Sequence, residues 1–230
     1  MAMVVPRQRT HTFDGLDAGV VEYARKHAQM VSVKRGDALT HQGESATRFF
    51  VVQEGYAKLV STSQEGHEIL VGIAGPFDAI GHAAVTEQRG DYLVTSCALT
   101  PLTAASWDRE KALAIAREFP QVHARLDAQL ARNLELVLRR LHLVSEGKVN
   151  QRLARALVEL AERHGEPHAL GIQISPPLTR QDIAAIVGTT LFTASRVLAD
   201  WEEKGLIESS RARVRVRSVE GLKALAELDE

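Results

Sequence analysis

The spacing of hydrophobic residues changes character twice along the chain. Between Val31 and Trp107, short apolar or alternating runs sit between glycines at 36, 43, 55, 66, 72, 75 and 81. FFVVQEG, YAKLVSTS and HEILVGIAG are rich in β-branched and aromatic residues, as strands are. Regular short strands broken by turn residues predict a small antiparallel β-roll or barrel, with one short helix before it over roughly Ala18–Ala28. From Arg109 the period becomes helical. A long helix is predicted from Pro120, a first helical position that tolerates proline, to Ser145. Along it Leu130, Leu134, Val137, Leu141 and Val144 step by 4, 3, 4 and 3. That heptad seam suits pairing with a second copy of the helix, or packing on the chain's own β-roll. Gly147 follows as a hinge. Asn150–His164 reads as a further helix with Leu153, Ala156, Leu157 and Leu160 inward.

The most specific pattern is TRQDIAAIVGTTLFTASRVLADWEEKGLI, from Thr179 to Ile207. Thr179 caps a short helix whose inward side is Ile183, Ala184, Ile186 and Val187, and Asp182 suits its positive end. Gly188 supplies the positive φ of a sharp turn. Thr189 or Thr190 caps a second helix, to about Lys204, with Ala194, Val197, Leu198 and Trp201 facing the first. This is a helix-turn-helix, a fold that places its second helix in a DNA groove. The candidate DNA-contacting residues are Thr179, Arg180, Gln181, Thr190, Leu191, Phe192, Ser195 and Arg196. Arg196 can donate two hydrogen bonds to guanine, Ser195 can meet base or phosphate, and Phe192 can pack on a thymine methyl. After Gly205, Ala212, Val214 and Val216 alternate with Arg211, Arg213, Arg215 and Arg217. That period of two predicts a wing strand paired with Leu206–Ser209, with Arg211 and Arg213 set for phosphates. A short amphipathic helix, Val219–Leu228, ends the chain.

Composition adds bounds. The 230 residues carry a formal charge of -1, so any nucleic-acid footprint is local. Residues 148–217 hold eleven Lys/Arg against eight Asp/Glu. One cysteine, Cys97, excludes an internal disulfide and a four-thiolate metal or iron–sulfur site. No apolar run approaches the ~18–20 residues that span a bilayer, and the start lacks a signal-peptide core. The expectation is a cytoplasmic protein with no membrane partner. Metal-dependent β-roll enzymes need an HxH pair, which none of the nine histidines forms. HGEPH, His164 to His168, reads as a solvated loop. No phosphate-cradling glycine loop or nucleophile elbow is present, so no enzyme is expected.

RGDALTHQGESATRFFVVQEGYAKLV, GPFDAIGH, the long helix and TRQDIAAIVGTTLFTASRVL together resemble the CRP/FNR superfamily of bacterial transcription regulators, over about Lys34 to Arg217. The resemblance implies an α+β protein: a cyclic-nucleotide-binding-like β-roll, a dimerisation helix and a winged helix-turn-helix. The corresponding domains are 1–118, 119–147 and 148–230. It also implies a homodimer on a palindromic site in double-stranded DNA, acting on RNA polymerase and controlled allosterically by an effector in the β-roll. The expected effector pocket is Gly81, His82, Ala83, Tyr92, Leu93, Val137 and Leu138.

Departures from the family pattern bear on the ligand. In the cyclic-AMP-binding branch a Gly-Glu pair holds the ribose and an Arg-Ser pair the phosphate. Here His82 stands for the Glu, and equal spacing puts Tyr92 and Leu93 where Arg and Ser would be. Val137 and Leu138 replace the polar residues that meet the adenine. A buried phosphate without a cation is costly, so cyclic AMP is not the expected ligand. Haem with His82 as axial ligand, another apolar or organic effector, no small ligand, and a cyclic nucleotide in a non-standard pocket with Arg89 in a shifted register all stay open. On the reading helix Phe192 stands where the family commonly carries a Glu, which predicts a half-site unlike the usual ones.

Overall fold

The computed structural model describes residues 12–227 except 14, 67, 146 and 147, and all their side chains except those of 136 and 139–145. It forms two compact units, one up to Val137 and one from Leu138 onward.

The first unit is the β-roll. Helix α1, Ala18–Lys26, precedes β1 (Gln29–Val33), β2 (Ala38–Thr40), β3 (Arg48–Glu54), β4 (Ala57–Thr62), β5 (Glu68–Ala74), β6 (Ala79–Ile80), β7 (Thr95–Ala98) and β8 (Leu102–Asp108). They make two antiparallel four-stranded sheets in the orders β1-β8-β3-β6 and β2-β7-β4-β5. The β-branched and aromatic runs are strands because both sheets bury one face. Phe49, Phe50, Val51, Val52, Ala57, Ala74 and Trp107 share a single core. The Trp107 indole N–H donates to the Ala24 carbonyl at 2.8 Å, which fixes α1 on β8.

Helix α2, Arg109–Glu118, starts where the Asp108 carboxylate accepts from the Lys111 amide at 2.9 Å. Helix α3, Pro120–Ser145, starts at the proline, as its sequence predicts. Its first turns bury Val122 and Leu126, whereas Leu130 and Leu134 are exposed (57 % for Leu134). Val137 is half-buried. Within this unit the forward part of the seam therefore lies open rather than on the β-roll. The Leu141 and Val144 side chains and the Gly147 hinge fall outside the described residues.

The second unit is built on α4, Val149–His164, which buries Leu153, Ala156, Leu157 and Leu160. One expectation is corrected here. HGEPH is not a solvated loop: Gly165–His168 is strand β9, paired with β10 (Gly171–Ile174), and His164 is buried. β10 pairs in turn with the wing, giving a four-stranded sheet β11-β12-β10-β9 instead of an isolated hairpin. The remaining elements are α5 (Arg180–Val187), α6 (Leu191–Glu203), β11 (Ile207–Ser210), β12 (Arg213–Val216) and α7 (Val219–Glu227).

Candidate nucleic-acid interface and effector pocket

Helices α5 and α6 meet across three residues at a bend of 107°, within the range of helix-turn-helix motifs. Each bounding residue has a local cause. At the start of α5 the Thr179 Oγ1 accepts from the Asp182 amide at 3.1 Å, and the Asp182 carboxylate accepts from the Thr179 amide at 3.0 Å. This reciprocal capping box satisfies two otherwise orphaned donors. Gly188 ends α5 at φ 63°, ψ 50°, a left-handed conformation that a side chain disfavours. Thr190 then caps α6, accepting from the Thr193 amide at 3.2 Å. Ala194, Val197, Leu198 and Trp201 are buried, which fixes the rotation of α6 and so decides which residues face outward.

Those outward residues are the predicted ones. Leu191 is 46 % and Phe192 79 % exposed. Thr190 and Arg196 are exposed, and Ser195 is half-buried beside them. Gln181 is exposed on α5. Arg196 takes part in no ion pair or side-chain hydrogen bond among the described residues.

The wing departs from its predicted pattern. Arg211 and Ala212 are not strand residues but the two-residue turn, with φ 27° and 67°, and β12 starts only at Arg213. Four guanidiniums do not line one free face. Arg215 is half-buried and donates to the Glu208 carboxylate at 2.8 Å. Arg211, Arg213 and Arg217 are exposed. Arg180, at the start of α5, donates to Glu202 and to the Ser209 hydroxyl, each at 3.2 Å. The other Glu202 oxygen accepts from the Ser209 amide at 2.9 Å and from its hydroxyl. Glu202 thereby ties both α6 and Arg180 to the wing. A cleft of about 320 Å³ opens between Thr179–Arg180 and the wing residues Ser209–Val214, with Arg180, Arg211 and Arg213 in its wall.

In the β-roll, Gly81 stands at φ 85° before a turn of 3-10 helix, His82–Val85. A Cβ on Gly81 would come within 2.7 Å of the Arg48 carbonyl and 3.2 Å of the Tyr92 ring, so only glycine fits. Tyr92 is buried, and its hydroxyl donates to the Arg48 carbonyl at 2.9 Å and accepts from the Arg48 amide at 3.1 Å. Gly81 and Tyr92 are thus brought together, while Leu93 stands 79 % exposed. Ala83 is half-buried, and Leu138 is exposed.

The His82 ring lies edge-on to Phe49 at 6.0 Å. The residue is half-buried, and its Nε2 is enclosed with no hydrogen-bond partner among the described residues. Burial lowers its pKa from 6.5 to about 4, so the ring is neutral at physiological pH. Phe49 also lines an apolar void of about 20 Å³ bounded by Phe13, Val85, Trp107, Ile115 and Leu126.

One residue here escaped the sequence reading. Arg109 donates to the carbonyls of Ala83, Ala84, Thr86 and Glu87 at 2.7 to 3.2 Å, clamping the 82–87 turn to α2. Nothing in the sequence distinguishes it from any arginine at a helix start. Arg48 likewise engages Ser106 and Gln29.

A β-roll followed by a winged helix-turn-helix defines a class of DNA-binding transcription regulators. Residues 30–119 match the cyclic nucleotide-binding domain family, and residues 151–225 the Crp-like helix-turn-helix domain family. The CRP-like cAMP-activated global transcriptional regulator of Mycobacterium tuberculosis (strain CDC 1551 / Oshkosh) is 27 % identical over 214 residues, covering 93 % of this chain and 95 % of that one. FixK2 from Bradyrhizobium japonicum superposes with a TM-score of 0.76 at 20 % identity, over 88 % of this chain and 99 % of that one. The c-di-GMP responsive global regulator CLP of Xanthomonas campestris does so with a TM-score of 0.75 at 20 % identity, over 88 % and 100 %. The chain belongs to the CRP/FNR superfamily of transcription regulators. Among the described residues no single helix is long and apolar enough to cross a membrane, and no group of three or more His, Cys, Asp or Glu could hold a metal.

Proposed function

We propose that this protein is a sequence-specific DNA-binding transcription regulator that works as a homodimer on a palindromic site. The observation that carries this is the surface of α6. Phe192 stands outward and mostly exposed, and Arg196 is exposed with no ion pair or side-chain hydrogen bond among the described residues, beside a wing whose Arg211 and Arg213 are exposed. Unpaired guanidiniums bordering a cleft beside a reading helix suit phosphate contact and base readout. The exposed Leu130 and Leu134 on α3 supply a face for a second copy, continued in sequence by Val137, Leu141 and Val144. Contact with RNA polymerase follows from the family and is part of the same proposal.

Selection of bound duplexes from a random or genomic pool tests it, followed by mobility shift across a salt series. A symmetric motif is expected, with affinity that falls steeply with salt. Protein that selects no motif and stays monomeric would falsify the reading.

We propose further that the β-roll effector is not cyclic AMP, although the M. tuberculosis relative is cAMP-activated by name. The positions that would hold ribose and phosphate carry a neutral His82, a Tyr92 bonded to Arg48 backbone and an exposed Leu93. The nearby guanidiniums of Arg48 and Arg109 already have partners within the fold. Neither is free for an anion entering this loop, and the loop's remaining guanidinium, Arg89, stands exposed at the surface. Added cyclic AMP is therefore expected to leave both the melting temperature and DNA affinity unchanged, and a rise in either overturns this part. Haem fits poorly, because the enclosed His82 Nε2 is not presented to an iron. An apolar organic effector is the class we favour. Protein from haem-supplemented cells that carries a Soret band would reverse that preference.

A further inference from the structure

We infer that Phe192 makes operator binding depend on the C5-methyl group of one pyrimidine in each half-site, so that thymine or 5-methylcytosine is accepted there and unmethylated pyrimidines are penalised. This rests on the proposal that the outer face of α6 reads DNA.

The observation is a large apolar residue left mostly exposed. Phe192 is 79 % exposed in the first turn of α6, and Leu191 beside it is 46 % exposed. Neither belongs to the core cluster or to the buried side of the helix. Leu191 and Phe192 together leave a contiguous apolar patch at the start of the helix, a surface suited to contact with another molecule. The neighbouring polar groups are already engaged. The Thr190 hydroxyl caps the Thr193 amide and lies 3.0 Å from the Thr193 hydroxyl, so both threonines are occupied in holding the helix start. Ser195, Arg196 and the apolar Leu191 and Phe192 are left to meet base edges. Phe192, the larger and more exposed of the apolar pair, has no donor or acceptor. The apolar feature that a major groove offers it is the C5-methyl group.

Position then constrains the pattern. Phe192 and Arg196 are four residues apart and share one face of the helix. At a rise of about 1.5 Å per residue they stand about 6 Å apart along the axis, or about two base steps of about 3.4 Å. The methyl-bearing pyrimidine is therefore expected within about two steps of the guanine that Arg196 reads.

The experiment uses the full-length protein and a duplex carrying its selected palindrome. Each thymine is replaced in turn by deoxyuridine, which removes only the methyl group. One position per half-site is expected to respond. Burying one methyl group is worth about fourfold in affinity, so demethylating both half-sites should weaken binding about fifteenfold. Cytosine at that position should bind weakly, and 5-methylcytosine should recover much of the loss. The Phe192→Ala protein should be insensitive to the methyl group yet still discriminate the guanine. Phe192→Glu should instead prefer cytosine, whose exocyclic amine a carboxylate can accept from. Both substitutions fall on an exposed side chain, so the fold tolerates them.

The inference is overturned if the wild-type protein ignores every thymine-to-deoxyuridine replacement, or if Phe192→Ala keeps the same methyl dependence. Failure to select any motif would instead overturn the parent reading, and it would appear before any base is altered.

Discussion

The reading surface and the pocket loop handle the same chemical problem in opposite ways. On the second unit Arg196, Arg211 and Arg213 are exposed, and no partner for them stands among the described residues. On the first, Arg109 gives its guanidinium to four carbonyls, Arg48 binds Ser106 and Gln29, and Tyr92 bonds the Arg48 backbone. The reading surface is incomplete until an outside anion arrives. In the pocket loop Arg109 and Arg48 are engaged within the fold and one nitrogen of His82 is enclosed, while Arg89 stays exposed. That difference separates a surface whose cations stand open from a loop whose Arg48 and Arg109 hold the fold together.

The contrast is broken most severely by removing dimerisation. Leu130→Asp with Leu134→Asp places two charges on the open face of α3, where burial against a twin helix would strand them unpaired. Sedimentation should show monomers, and specific binding should vanish because one half-site is held alone. Dimers that persist would show that this face is not the seam. Next in size is Arg196→Ala. A bidentate contact to guanine is worth about 1–3 kcal/mol, or about five- to 150-fold per half-site, and nonspecific binding should change far less. Arg215→Ala is the matched control. Arg215 is half-buried and paired to Glu208, so its loss should cost stability before sequence preference.

On the sensor side the enclosed histidine gives a pH signature. The folded pKa of His82 lies near 4 against 6.5 unfolded, so the unfolded chain binds the extra proton between those values. Stability is then complete above about pH 6.5 and falls as the pH drops toward 4, by at most about 3 kcal/mol. Urea midpoints at pH 7.5 and pH 5 should differ for the wild type and differ less for His82→Leu. Equal pH dependence in the two proteins would mean that His82 is not the group enclosed in the fold.

The sequence made some of this legible and hid the rest for physical reasons. The helix-turn-helix could be read because every signal in it is local. Thr179 and Thr190 cap, Gly188 turns, and four buried residues recur at helical spacing. The limits of α3 were equally legible from Pro120 and the heptad. Strand β9 was not, because Gly165, Glu166, Pro167 and His168 have no strand propensity. They are extended because β10 offers them partners, with Ile172 opposite Pro167. The Arg109 clamp was hidden for the same reason, since its four acceptors lie 22 to 26 residues upstream. Period-two alternation also misled at the wing tip. Arg211 and Ala212 satisfy the pattern on paper, but a two-residue hairpin turn claimed them. Tyr92 and Leu93 could be aligned to a ligand's place, yet which of the two turns inward depends on Gly81 and Arg48.

The smallest predicted effect tests that wing tip. Two-residue hairpin turns favour glycine or asparagine because both central residues need positive φ. Here Arg211 and Ala212 take φ 27° and 67°, two of the three non-glycine residues with positive φ among those described. Holding a β-carbon there costs about 1 kcal/mol, and such strain persists where the side chain serves something other than folding. Ala212→Gly relieves the strain without touching a guanidinium, so it should stabilise the protein by about 0.5–1 kcal/mol, seen as a higher urea midpoint, and leave DNA affinity within twofold. Arg211→Asn relieves the other half of the strain but removes a cation from the cleft. It should also stabilise the fold, while weakening DNA binding and lowering its salt slope by about one unit per half-site. If both variants gain stability and neither loses affinity, Arg211 is a turn residue alone, and the phosphate contact belongs to Arg213 and Arg180.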